Sequence, residues 1–186
     1  FKFGVYKDGL ILDKMTNELI YFYYTNNRLA QVQSILAEPY AGNGALVVQY
    51  LGDTMSQADH AAAVERVKND IINGLIFQCE VGFKSKYTVN GDTINIYEQL
   101  RNVNPSPHMY YVKFGDEKII GASPELLFRL RQGEMETFPL AGTTKRGAND
   151  AEDRELARAL LNDPKEIAEH NMLIDLHRND IGKVAQ

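Results

Sequence analysis

Short apolar runs separated by polar residues dominate the first fifty positions of the chain. Two of these runs are joined through the turn-forming pair Thr16-Asn17, which is typical of a β-hairpin. The next apolar residues recur at helical spacing, and a further apolar run follows them. This part of the sequence therefore predicts a hairpin, a helix and a strand, over residues 10–24, 28–38 and 46–51.

The clearest helical pattern begins after Ser56, which is suited to an N-cap position and has Asp59 three residues later. Gly74 stands where a glycine commonly ends a helix. Residues 75–83 then alternate between apolar and more polar positions, and this period of two predicts a strand with Gln78 on its polar face.

The second half of the chain alternates between hairpin and helix patterns. The two hairpins are predicted to turn at Gly115-Asp116 and Gln132-Gly133. The elements expected here are helices over 94–103, 150–161 and 163–179, and hairpins over 109–121 and 126–139. Hairpins in series, with helices set apart from them, predict an α+β layered fold.

Composition and charge narrow the function classes. The chain has 186 residues, is 44% hydrophobic and carries a net charge of -5 without a basic run, which argues against nucleic acid and anionic membrane surfaces as partners. No apolar stretch reaches the ~20 residues that a membrane span needs. Cys79 is the only cysteine, so an internal disulfide and Cys-x-x-Cys sites are excluded. We expect a cytoplasmic protein.

One candidate site lies at the start of the last predicted helix. Asp163 and Pro164 are suited to the N-cap and N1 positions, and Glu166 there is explained equally well as a capping carboxylate. However, Glu166, Glu169 and His170 share one helix face because they are spaced i, i+3 and i+4. Two carboxylates on one face also suit a hard cation such as Mg²⁺.

Two further segments are candidates for chemistry. Glu125 stands between apolar residues, and partial desolvation there would suit it to donating a proton, although a simple helical turn explains the segment too. Gly142 and Thr143 follow a predicted strand and could offer N–H groups and a hydroxyl to an anion. Lys145 and Arg146 nearby add positive potential, and a plain surface loop is the alternative.

In this order and at these separations, the motifs resemble those of the chorismate-utilising enzymes. The similarity is greatest to the large subunit (component I) of anthranilate synthase. It is specific after Asp70 and rests on the following motifs: Ile76-Phe77-Gln78, Asn104-Pro105-Ser106-Pro107, Gly121-Ala122-Ser123-Pro124-Glu125, Ala141-Gly142-Thr143, and Glu169-His170-Asn171-Met172 with the residues up to Asp180.

The resemblance implies a reaction and a role for each residue. Mg²⁺ holds a chorismate carboxylate, ammonia attacks the ring, and pyruvate elimination yields anthranilate for tryptophan biosynthesis. By position, Glu169 matches the direct metal ligand and Glu166 its neighbour that acts through water. Glu125 matches the acid that protonates the leaving hydroxyl. Gly142 and Thr143, preceded by Ala141, match the substrate-binding loop.

Two positions discriminate within this family. Members that add water to chorismate resemble one another in having a lysine base where this chain has Gln78, so Gln78 favours amination. Many aminodeoxychorismate synthases have a lysine before the Gly-Thr pair, where this chain has Ala141. Aminodeoxychorismate synthase component I is therefore the alternative. Thr144 and Lys145 replace an Arg-Pro pair that is usual in the family, which could alter the grip on substrate.

The resemblance also implies part of a layered antiparallel β-sheet sandwich with flanking helices, and so an incomplete catalytic domain. Residues 1–52 match peripheral elements and residues 53–186 the core motifs, whereas an N-terminal regulatory segment and a C-terminal catalytic half have no counterpart. We expect such a fragment to be inactive alone and to expose apolar surface that favours an oligomer or a covering partner. A glutamine amidotransferase small subunit is expected to supply the ammonia. A non-catalytic binding remnant is the alternative from another class.

Overall fold

The computed structural model describes residues 2–39 and 44–185, which fall into two units with their boundary at Asn43 and Gly44. The first unit contains the predicted hairpin and helix: β1 (Asp8–Asp13), β2 (Glu18–Tyr23) and α1 (Leu29–Ala37). Asn17 has the positive φ (58°) that the turn requires. Arg28 donates from two nitrogens to the Asp8 carboxylate, at 2.7 and 2.9 Å, and this pair joins the start of α1 to β1.

The second unit begins with β3 (Val47–Asp53), α2 (Gln57–Ile72) and β4 (Ser85–Asn90). Both predicted ends of α2 are confirmed. The Asp59 N–H donates to Ser56 Oγ at 3.1 Å, and Gly74 has a φ of 71° just beyond the helix. The strands on either side of α2 pair with each other in antiparallel register, with a bulge in β3.

The predicted strand over residues 75–83 is wrong. These residues form no backbone ladder, and the strand in this region is β4, two residues further on. A period of two gives the side chains two faces, but a strand also needs a partner for its N–H and C=O groups. Among the described residues, β3 pairs with β4 and leaves the segment that contains Gln78 outside every sheet.

The remaining hairpins and helices of the second unit are those predicted, although the last hairpin is short. Gly115 has a φ of 62° at the first turn position, and Gln132 and Gly133 both have positive φ, as type II′ and type I′ turns require. The elements are α3 (Ile94–Val103), β5 (His108–Phe114), β6 (Glu117–Ser123), β7 (Arg129–Arg131), β8 (Glu134–Glu136), α4 (Asp150–Asn162) and α5 (Pro164–Ile181).

The α+β class and the antiparallel pairing are confirmed, and the described strands form four two-stranded sheets. None of the described residues is buried, and large apolar side chains such as Leu127 (81% exposed) are open to solvent. The accessible surface is 15658 Å². A compact monomer of 21.0 kDa exposes about 9,000 Å². One face of most elements therefore has no packing partner within these residues.

Candidate active site

The start of α5 is organised by Asp163, as the sequence predicts. The Asp163 Oδ1 atom accepts from the N–H groups of Lys165 (2.8 Å) and Glu166 (3.4 Å), and Pro164 occupies the first turn. A capping glutamate at this position would accept from the Asp163 N–H, but that N–H donates to the Leu160 carbonyl at 3.3 Å. The Glu166 carboxylate accepts from the Lys165 ammonium instead. The side chain that could have been only a cap is therefore available for another role.

The two glutamates predicted to bind metal share one cation in this structure. The Lys165 ammonium lies 2.8 Å from Glu166 Oε1 and 4.0 Å from Glu169 Oε2. The hydrogen bond with Glu166, followed by the charges of Glu166 and Glu169, raises the pKa of Lys165. The Glu166 and Glu169 side chains are 21% and 38% exposed. A site where two carboxylates converge on one positive charge suits Mg²⁺, which often takes one or two protein carboxylates and completes its shell with water and substrate.

Gly142 lies directly against Glu166, and this contact brings the predicted substrate loop to the predicted metal helix. Gly142 has a φ of 76°, and a Cβ atom there would lie 2.8 Å from Glu166 Oε2 and 3.2 Å from Leu160 Cδ1. The backbone conformation therefore favours glycine, and a larger residue would also push the Glu166 carboxylate out of its place. Thr143, the next residue, is exposed and makes no hydrogen bond within the described residues.

Glu125 is connected to the same loop through the backbone of Leu140. The Leu140 N–H donates to Glu125 Oε1 at 3.3 Å, two residues before Gly142. Ser123 fixes the backbone of Glu125, since its Oγ accepts from the Glu125 N–H (3.3 Å) and donates to the Glu125 carbonyl (3.0 Å). The expected desolvation of Glu125 is wrong for the described residues, because the side chain is exposed and flanking Leu127 is exposed as well.

Gln78 is not brought to the other predicted residues. Its side chain is exposed and makes no hydrogen bond among the described residues. The segment is held near its end by His60, whose Nε2–H donates to the Val81 carbonyl at 3.0 Å while its ring meets Phe83 edge-on. Nothing in the sequence indicates this contact, since His60 has the spacing of a helix-surface residue.

Two polar contacts around the candidate site were not expected from the sequence. The positive charge expected of Arg146 is offset by Asp153, which pairs with two of its nitrogens at 2.8 Å each. Thr137 shares a 2.8 Å hydrogen bond with His177 Nδ1, which joins the end of the last hairpin to α5. That contact lies in an apolar cavity of about 460 Å³ lined in part by Phe128.

The described parts of the chain contain neither a metal site made of three or more side chains nor a helix that could span a membrane. Residues 2–39 and 44–185 contain no group of three or more His, Cys, Asp and Glu side chains arranged to hold a metal ion by themselves. A metal at the glutamate pair would thus need ligands from water, substrate or elsewhere. None of the helices in these ranges combines the length and apolar character that a bilayer span requires.

Comparisons with known proteins agree with the order of motifs. The chain is 54% identical over 187 residues to anthranilate synthase component 1 of Leptospira biflexa, covering 99% of the chain and 40% of that relative. It is 40% identical over 186 residues to anthranilate synthase component 1 of Methanothermobacter thermautotrophicus, again 40% of the relative's length. The chain thus spans about two fifths of these relatives.

A solved structure shows the same fold. The crystal structure of anthranilate synthase component I from Streptococcus pneumoniae TIGR4 superposes with a TM-score of 0.79 at 31% identity, over 96% of this chain and 42% of that one. The family model for chorismate binding enzymes matches residues 1–186. The chain belongs to the chorismate binding enzyme family.

Proposed function

We propose that residues 1–186 supply the acid, the substrate loop and the metal-binding glutamates of an anthranilate synthase active site. The reaction is the Mg²⁺-dependent amination of chorismate and the elimination of pyruvate to give anthranilate, a carbon–oxygen lyase reaction in tryptophan biosynthesis. One observation supports this proposal above the others. Glu125, the Gly142 loop and Glu166 are connected by direct contacts, although 41 positions separate the two glutamates.

Each residue has a role that its chemistry allows. Glu125, held against the backbone of Leu140, protonates the ring hydroxyl as it leaves. Glu169 would bind Mg²⁺ directly and Glu166 would act through metal-bound water, and the ion would supply positive charge for a substrate carboxylate. Gly142 and Thr143, after Ala141, bind substrate oxygens through N–H and hydroxyl groups. Gln78 is not a base, and ammonia does not need one because it is already nucleophilic.

The ammonia is proposed to come from a glutamine amidotransferase small subunit. Further ligands and substrate contacts are proposed to come from parts of the protein that correspond to the remaining three fifths of the relatives. Residues 1–186 alone are then inactive. A cytoplasmic setting is proposed as well, because a chain whose single cysteine is Cys79 suits a reducing compartment.

A hybrid enzyme tests the proposal. In it, this chain replaces the segment that it matches in the Leptospira biflexa relative. We expect the hybrid to form fluorescent anthranilate from chorismate, ammonium and Mg²⁺. Glu125→Gln should lower kcat by about 10² to 10⁴, the range for loss of a general acid.

Glu134→Gln is the matched control, because the Glu134 side chain is exposed at a hairpin turn and makes no hydrogen bond or ion pair among the described residues. It should leave kcat unchanged. A folded hybrid in which the two variants have equal activity would contradict the role proposed for Glu125.

A further inference from the structure

The loop over residues 141–149 has no regular secondary structure, yet its second half is bound to the first turn of α4. Asp153 Oδ1 accepts from the Gly147 N–H and from Arg146 Nε, both at 2.8 Å. Its other oxygen pairs with a terminal nitrogen of Arg146 at 2.8 Å. One carboxylate thus holds both the backbone and a side chain of the loop.

The next residue is held in the same way. The Ala148 N–H donates to Glu152 Oε2 at 2.7 Å, and Asn149 then caps the helix by accepting from two of its first N–H groups at 3.1 Å. Gly147 lies so close to α4 that a Cβ atom there would overlap the backbone nitrogen of Asp153. Backbone cannot move aside as a flexible side chain can, so this approach requires glycine.

The first half of the loop meets the other end of the same helix. Gly142 packs against Leu160, in the last turn of α4, and against Glu166 of α5. Residues 143–145 lie between these two anchors, are exposed, and make no hydrogen bond or ion pair within the described parts of the chain. A loop fixed at both ends with its middle free has the form of a preorganised binding segment.

We propose that Asp153 is a positioning residue for this loop: it holds Arg146 and Gly147 so that Thr143 and its neighbours are presented to the substrate. This inference rests on the proposed function for the identity of the substrate. Fixing the loop before binding removes part of the entropy that binding would otherwise lose, so Asp153 acts on substrate affinity more than on the chemical step. Arg146 is paired with Asp153, which leaves Lys145 as the unpaired cation of the loop among the described residues.

The hydrogen bonds with Arg146 and then Gly147 also lower the pKa of Asp153. The carboxylate therefore stays ionised across the neutral range, and its contacts with Arg146 and Gly147 are formed at the pH of an enzyme assay.

Asp153→Ala and Asp153→Asn test this role, with Asp150→Ala as the control from the same helix turn. Asp150 is exposed and makes no side-chain hydrogen bond or ion pair among the described residues. Two readouts are needed. One is hydrogen exchange of peptides that span residues 141–149 in the 186-residue chain, and the other is the steady-state kinetics of the hybrid enzyme with Mn²⁺ binding measured alongside.

Asp153→Ala should speed exchange in residues 146–148 and raise KM for chorismate by about tenfold, with kcat changed less than threefold and Mn²⁺ affinity unchanged. Asp153→Asn keeps an acceptor for the Gly147 N–H and should recover part of the affinity, whereas Asp150→Ala should change neither readout. An unchanged exchange rate, an unchanged KM, or equal effects from Asp150→Ala would overturn the inference. If the unmodified hybrid makes no anthranilate, the proposed function fails, while the exchange measurement still decides whether Asp153 holds the loop.

Discussion

Replacing Gly142 by alanine separates two effects that the structure assigns to this position. The backbone has a φ of 76°, a left-handed conformation in which a residue with a Cβ atom costs about 1–2 kcal/mol. The added methyl group would also lie 2.8 Å from Glu166 Oε2. Because a carboxylate at the end of a flexible side chain can move, Glu166 is expected to shift by about half an ångström to reach ordinary contact distance.

Gly74 offers a matched control. Its φ of 71° is nearly the same, and a Cβ atom there would meet nothing within 4 Å. Gly74→Ala therefore introduces the backbone strain without touching the candidate site. Both variants should lower the free energy of unfolding by a similar amount, about 1–2 kcal/mol, measured by urea unfolding of the 186-residue chain.

Metal binding should distinguish the two variants. Displacing one of two carboxylates should weaken Mn²⁺ binding to the hybrid enzyme by about tenfold in Gly142→Ala and leave it unchanged in Gly74→Ala. Electron paramagnetic resonance of free Mn²⁺ measures this directly. Equal Mn²⁺ affinity in both variants would refute the placement of Gly142 against a metal-binding Glu166.

Three further expectations follow from the fold and its charges. In urea unfolding, the m-value of the 186-residue chain should be about 0.7 times that of a compact protein of equal length. The reason is that the chain buries about half of its extended-chain surface, whereas a compact protein buries about 70%. An m-value equal to that of a compact monomer would show that the apolar faces are not exposed. The hydrogen bond from Arg28 lowers the pKa of Asp8, so the stability that this pair gives the first unit is complete above the ordinary aspartate pKa of about 3.9 and is lost as pH falls through the lower value of the folded state. An NMR titration of Asp8 that shows an ordinary pKa would rule out the pair. Ser56→Ala removes the cap of α2 and should destabilise that helix by about 1 kcal/mol, seen as faster amide exchange in residues 57–60.

Local chemistry explains which parts of the fold could be predicted. The N-caps Ser56 and Asp163 and the Gln132-Gly133 turn satisfy backbone groups or φ angles within a few residues of themselves. A sequence pattern contains all the information that such features need. The starts of α2 and α5 and the position of this turn were therefore predicted closely, whereas the strands on either side of the turn are shorter than predicted.

Features that depend on distant partners were not predicted. Residues 75–83 have the alternation of a strand, but the pairing partner of β3 lies beyond them, across α2. In the same way, the sequence gives no sign that His60 reaches the Val81 carbonyl or that Arg146 is held by Asp153. The exposure of Glu125 has the same origin, since desolvation depends on groups that pack over a side chain and not on its neighbours in sequence.

The candidate site was predicted in its members more than in its arrangement. The spacing of Glu166 and Glu169 on one helix face is a local property, and in the structure both carboxylates lie within 4.0 Å of the Lys165 ammonium. The contact of Gly142 with Glu166 joins two segments whose sequences contain no signal for each other. It was the order of the family's motifs that indicated a common site.

The identity of the aminated product tests the central claim most directly. The hybrid enzyme, supplied with chorismate, ¹⁵N-ammonium and Mg²⁺, is analysed by NMR for the ring position that carries the label. Our account predicts 2-aminobenzoate, anthranilate, formed together with pyruvate and without an added lyase. A 4-amino product, or a folded hybrid that binds Mn²⁺ and chorismate but yields no anthranilate, would contradict it.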